Sequence, residues 1–171
     1  PALMERAGLA KADHWWIYLP AVLASFLVMG GTLFPLERRG YLRAVFLSAI
    51  GLVGLVQIGL LVAATGSPGL IPLGLLMFVF FCGFNILEAS QPSMVSRIAP
   101  AKARGAALGV YNTLQSLGLF AGGVAGGALV KNFGAQGLFM VCAAAIVLWF
   151  MVAWPMRAPA KAGLPAASEA A

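Results

Sequence analysis

The chain reads as an all-α membrane protein with five transmembrane helices, on three observations. Of its 171 residues, 61% are hydrophobic and only 9% are charged, with a mean hydropathy of +0.94, whereas about a quarter of a soluble domain is charged. Four windows are free of Asp, Glu, Lys and Arg: Trp15 to Leu36, Ala44 to Leu87, Gly105 to Val130, and Asn132 to Met156. The basic residues that give the net charge of +6 fall in short clusters between those windows, which is how membrane loops are written and is not a nucleic-acid footprint.

A bilayer core about 30 Å thick needs roughly 20 apolar residues of helix, and helices are the structures that satisfy their own backbone in hydrocarbon over such runs. The first window predicts a span at about 15 to 36, with Asp13 placed to cap it. The second is too long for one span, and Thr65-Gly66-Ser67-Pro68-Gly69 divides it with turn chemistry into spans at about 42 to 64 and 69 to 97. The last two windows predict spans at about 104 to 130 and 134 to 155. Residues 1–14 then form a segment before the first span, and 158–171, small and of low complexity, form a disordered tail. The opening PALMERAGLAKADHW has no basic start, apolar region and small-residue cleavage site, so it is not a signal peptide. A chain that begins this way is expected to be a piece of a longer one.

Five spans make the loops alternate between the two faces of the membrane. One face collects Arg38, Arg39 and Arg43, then Arg97, Lys102 and Arg104, then Arg157 and Lys161; the other collects Arg6, Lys11 and Lys131. Eight against three places the first set, and the C-terminus, in the cytoplasm. Trp15, Trp16, Tyr18 and Trp154 suit interfacial belts, and His14 is expected at the outer surface.

Inside the third span, Asn85, Glu88 and Gln91 follow at i, i+3 and i+6, roughly along one face. Glu88 lies nine residues before Arg97, about 13 Å along the axis, and an acid at that depth faces protein or a water-filled cavity. Pro92 has no N–H for the Glu88 carbonyl, so a kink is expected at the acid. Two readings stand for Glu88. It is a latch paired with Arg38, Arg39 or Arg43, or it is a proton-coupling carboxylate facing a transport cavity; its depth favours the latch.

The fourth span carries small pairs four apart at Gly105 and Gly109, Gly118 and Gly122, Gly122 and Gly126, and Gly123 and Gly127. That spacing lets helix backbones approach closely in lipid, so tight packing against a neighbour is expected there. Tyr111, Asn112, Gln115 and Ser116 hydrogen-bond a neighbouring helix or line a polar cavity, and Gln57 is a weaker candidate of the same kind. Cys82 and Cys142 sit in apolar runs, with neither a disulfide framework nor metal-ligand spacing. No enzyme signature is present: GGVAGG lies mid-span without a preceding strand, and no nucleophile has a plausible base. No cofactor is implied.

FNILEASQPSMVSRIAP followed by RGAALGVYNTLQSLGLFAGGVAGGAL resembles the tenth and eleventh helices of major facilitator superfamily transporters. The YajR-like bacterial members, grouped with the proton-coupled drug-efflux antiporters, are the most similar. ADHWWIYLP resembles the approach to the eighth helix and LFMVCAAAIVLW the twelfth. The resemblance implies that the five spans are helices eight to twelve of a twelve-helix fold, that PALMERAGL leaves a missing seventh, and that the N-terminal half is the absent partner. It also implies alternating access, proton-coupled efflux of small amphipathic compounds, and residence in a bacterial inner membrane. In LFPLERRGYLR, Glu37, Arg38 and Gly40 match the Asp, Arg and Gly of family motif A, while Leu33, Tyr41 and Leu42 depart from it. The resemblance places Glu88 in a cytoplasmic charge network with loop arginines, and makes Arg104 and Gly105 the receiving surface for the first-half motif. The rival function is a membrane scaffold that binds partner helices through the glycine-rich span.

Overall fold

The computed structural model describes residues 2–66 and 68–156. It is all-helical: α1 Ala2–Arg6, α2 Trp15–Arg38, α3 Leu42–Thr65, α4 Leu70–Ile98 and α5 Arg104–Ala153. Short 3-10 turns at Lys11–Asp13 and Ala101–Ala103 lead into α2 and α5. At 1.5 Å per residue the 24 residues of α2 or α3 reach about 36 Å, enough to cross a bilayer. The expected disordered tail, Arg157 and Lys161 lie outside the described residues.

The last two expected spans are the two arms of α5. Its 50 residues are interrupted at Gly134, whose φ of 67° and ψ of −171° are helical for no residue and accessible essentially to glycine alone. The chain reverses there. Along the arm 135–153, Ile146 lies against Gly54 and Phe150 against Gly51, so this arm runs antiparallel to α3. In the arm 104–133, Tyr111 meets Gln91 and Gln115 meets Glu88, so it runs antiparallel to α4.

α3 is the central element. Ten of its 24 residues are buried, among them Phe46, Ile50, Val53 and Val56. It packs α4 on one side and the second arm of α5 on another, and α2 lies parallel to α4 beyond. The core has two clusters, one near the arginine-bearing helix ends around Leu42, Phe46, Ile50, Leu87 and Met94, the other at the opposite end around Met4, Val56, Leu60 and Leu73. Large apolar side chains such as Leu27, Ile71, Leu119 and Phe120 point outward. Hydrocarbon is as good a solvent for them as the core, so tight packing and buried polar contacts must supply the interhelical attraction.

Three local expectations are corrected. Asp13 does not cap α2; it ends the turn Lys11–Asp13, and no side chain caps the helix. His14 is buried, its Nε2 3.3 Å from the Leu9 carbonyl and its ring edge-on to Tyr18. Tyr18 turns inward toward Phe81, while Trp15 and Trp16 stay exposed and stacked. Pro92, where a kink is expected, lies inside α4, and the helix continues through it from Leu70 to Ile98. One lost backbone bond is tolerated where the other turns hold and neighbouring helices pack against the segment.

The glycine expectation is corrected in kind. Around Gly105, Gly109, Gly118, Gly122, Gly123 and Gly127 a side chain would meet no atom within 4 Å, and at Gly126 only Leu138 from the other arm, at 3.7 Å. Close approach occurs instead at Gly83 on α4, where a Cβ would stand 2.8 Å from Val53 and 3.2 Å from the Ala49 carbonyl oxygen of α3. Gly83→Ala is therefore expected to lower the thermal midpoint of the detergent-solubilised protein, at a cost of about 1–3 kcal/mol, because backbone cannot move aside cheaply. Gly118→Ala should leave the midpoint unchanged or raise it, since alanine is the better helix former by about 1 kcal/mol.

Candidate functional site

The polar residues of α4 divide between two neighbours. Successive helix positions turn by about 100°, so Asn85 stands about 60° from Glu88 and about 120° from Gln91. Asn85 is buried against α2, its Nδ2 donating to the Ser25 hydroxyl at 2.7 Å, and Ser25 passes its own proton to the Val22 carbonyl. Glu88 and Gln91 face α5. There Tyr111 donates to Gln91 Oε1 at 3.0 Å, and Gln115 Nε2 donates to both Glu88 carboxylate oxygens at 2.8 Å.

Tyr111 and Gln115 are one turn apart, and they and the adjoining Ala107 and Leu108 are the partly buried positions in the first half of that α5 arm. The two polar rungs are therefore the main bridge from this arm to α4. Asn112 and Ser116 lie on its exposed face, with Ser116 bonded to the Asn112 carbonyl.

The expected latch between Glu88 and Arg38, Arg39 or Arg43 is not formed. Glu88 is half-buried and has no ion-pair partner among the described residues. The ion pair forms one level nearer the helix ends: Arg97 Nη2 reaches Glu37 Oε1, and Ser93 donates to the same oxygen at 2.6 Å. Arg97 Nε also contacts Ser93 Oγ at 3.3 Å, so Glu37, Ser93 and Arg97 close a triangle between parallel α2 and α4. Ser93 and Arg97 are four apart and share one helix face.

Arg43 is engaged elsewhere. Its Nε donates to the Met156 carbonyl at 2.6 Å and its Nη2 to the Trp154 carbonyl at 2.7 Å, with its guanidinium 6.0 Å from the centre of the Trp154 ring. The cation thus closes the C-terminal end of α5, where unpaired carbonyls concentrate negative charge. Arg43→Gln is expected to cost on the order of 2 kcal/mol, the range for hydrogen bonds to a charged group. Loosening of α5 should register as faster hydrogen exchange confined to residues 148–156. Arg38, Arg39 and Arg104 are exposed and make no side-chain hydrogen bond among the described residues.

The geometry thus offers one acid inside the bundle, contacted by an amide and no cation, one turn from a tyrosine–glutamine pair. Such a carboxylate can take up and release a proton without breaking an ion pair. A carboxyl there donates to the Gln115 amide oxygen when protonated, once that amide turns over, and accepts from the amide nitrogen when ionised. Ser25, Glu37 and Ser93 escaped the sequence reading as partners. For Ser25 no signal distinguishes it from any helix serine, whereas Glu37 stands out as the acid of the arginine-rich loop.

Residues 9–171 match the family model of the Major Facilitator Superfamily. The chain is 35% identical over 159 residues to the inner membrane transport protein YajR of Escherichia coli, covering 93% of this chain and 34% of that protein. It is 30% identical over 144 residues to an uncharacterized transporter of the same superfamily from Mycobacterium tuberculosis, covering 82% of this chain and 24% of that one. An uncharacterized transporter of Buchnera aphidicola is 29% identical over 122 residues, 71% of this chain and 30% of its own length. The chain spans about a third or less of each of these relatives.

Proposed function

Because the chain belongs to the major facilitator superfamily, we propose that it forms the C-terminal part of a secondary active transporter, helices eight to twelve of twelve, that exports small amphipathic compounds in exchange for protons. The observation that carries the coupling is Glu88, a half-buried carboxylate held by Gln115 with no arginine on it. A carboxyl there exchanges hydrogen bonds with Gln115 in either protonation state, so it could carry a proton with no ion pair to break. Gln115 and the Tyr111–Gln91 pair join α5 to α4 at the same level, so a change at the carboxyl is felt at the contact between these two helices.

The other wall of the transport cavity would come from the six or seven helices of an N-terminal half. The exposed, glycine-bearing face of α5 is the surface such helices would approach, with Arg104 and Gly105 at its start. The arginine-bearing ends would face the cytoplasm, by the excess of Lys and Arg there, in a bacterial inner membrane, as the name of the Escherichia coli relative suggests by similarity. Alternating access would rock the two halves about the site. The scaffold alternative draws on the same glycine face but gives Glu88 no role.

The test is transport by the full-length protein in everted membrane vesicles. Lipophilic compounds added to energised vesicles should dissipate the proton gradient in a protein-dependent way. A broad panel that leaves the gradient intact would remove the drug–proton exchange assignment.

A further inference from the structure

At the end of the bundle away from the arginines lies a half-open cavity of about 590 Å³. Its walls come from α1 to α4 and from α5 on both sides of Gly134, and include Tyr18, Met77, Phe80, Phe81 and Phe139. No charged residue among those described lines it. The polar side chain that stands out in the lining is Gln57: its Oε1 is buried without a hydrogen-bond partner and has no surface open to the cavity, while its Nε2 makes no hydrogen bond among the described residues and keeps accessible surface, so the Nε2–H is the group a molecule in the cavity would meet. A buried amide left unpaired is uncommon, because its desolvation goes uncompensated. On α4 the nearest lining residues, Phe80 and Phe81, precede Glu88 by seven or eight positions, about 10–12 Å along the axis. The cavity is therefore separate from the Glu88–Gln115 contact.

We propose that this cavity is a binding site for an uncharged aromatic small molecule bearing a hydroxyl or amide, with the Gln57 carboxamide as its polar anchor. The volume lies in the range of small-molecule sites. Aromatic walls give a flat apolar body offset-stacked and edge-on contacts, and Met77 adapts to its outline. A charged ligand is excluded because no wall residue would compensate its lost hydration. A hydroxyl both donates and accepts, so it can satisfy the carboxamide in either orientation; a lipid acyl chain would fill the space and leave the amide unpaired.

Cys142 lines the cavity and reports its occupancy, while Cys82 lies outside it. The protein in lipid nanodiscs is treated with N-ethylmaleimide, and modification of each cysteine is followed by mass spectrometry. The probes are 1-naphthol and 1-methylnaphthalene, a hydroxyl against a methyl, compared at equal mole fraction in the membrane. 1-Naphthol should slow Cys142 modification saturably and leave Cys82 unchanged. 1-Methylnaphthalene should need about a tenfold higher mole fraction for the same effect, as the loss of one hydrogen bond to a buried amide implies. Gln57→Leu, close in size and apolar, should fold and bind both probes equally. Equal protection by the two probes in the native protein, absence of protection, or an unchanged preference for 1-naphthol in Gln57→Leu overturns the assignment. The comparison in the native protein decides it even if Gln57→Leu fails to fold.

Discussion

Glu88→Gln in the full-length transporter is expected to reduce proton-driven transport at least tenfold while leaving counterflow of substrate down its own gradient. Glutamine preserves the shape of the side chain and can still exchange hydrogen bonds with Gln115, so the contact between α4 and α5 survives, but it cannot take up a proton. The wild-type dependence of transport on external pH should accordingly flatten in the variant. A purely structural role predicts the opposite pattern, with loss of thermal stability, equal loss of both transport modes and an unchanged pH profile. Gln115→Leu separates the partners. It removes the amide contact but keeps the acid, so transport should remain pH-dependent while the contact between α4 and α5 loosens. Proteoliposomes with imposed pH gradients compare both variants with the wild type. If Glu88→Gln keeps the native pH profile, the carboxylate does not couple protons.

The second large effect concerns Glu37 and Arg97. Either charge reversed alone, Glu37→Arg or Arg97→Glu, is expected to cost on the order of 3 kcal/mol, the penalty for leaving a largely buried charge without its partner. The side chains are only 16% and 20% exposed, so solvent screens them little. The double reversal should recover at least half of the loss, and thermal unfolding of the detergent-solubilised protein reads it directly. Ser93 sets a limit on full rescue, because its hydroxyl donates to the Glu37 oxygen and would have to turn to accept from an arginine there. A double mutant no better than the worse single mutant would mean that the pair adds nothing as a pair.

Glu88 and Glu37 illustrate what could be read from the residues alone. That Glu88 faces protein followed from its expected depth below Arg97 and from the energetics of charge in hydrocarbon. Its partner did not follow, because three arginines and several amides lay within plausible reach, and sequence distance says nothing about which helix stands on which face of α4. Gln115 was named as polar, and Glu37 was named as the acid of the arginine-rich loop, but neither was matched to its partner. The glycines of α5 misled for a related reason. Spacing of four marks a helix that can be approached closely, not the helix that approaches it, and within this chain the close approach is at Gly83, which has no small partner four residues away on α4.

What the sequence by itself determined is the all-helical membrane character and the segments that form the long apolar helices. Each depends on the period and length of apolar runs, which are local properties set by the cost of an unpaired backbone in lipid. The break between the last two helical arms was local as well, since Lys131 separates two apolar windows three residues before Gly134, where the chain reverses. Pairing of side chains across helices was decided by the tertiary structure alone: Glu88 with Gln115, Glu37 with Arg97, Arg43 with the end of α5, and the open carboxamide of Gln57. Lipid gives no hydrophobic drive to order one helix beside another. The arrangement therefore rests on a few close fits and polar contacts between residues far apart in the chain, and only the assembled bundle brings those residues together.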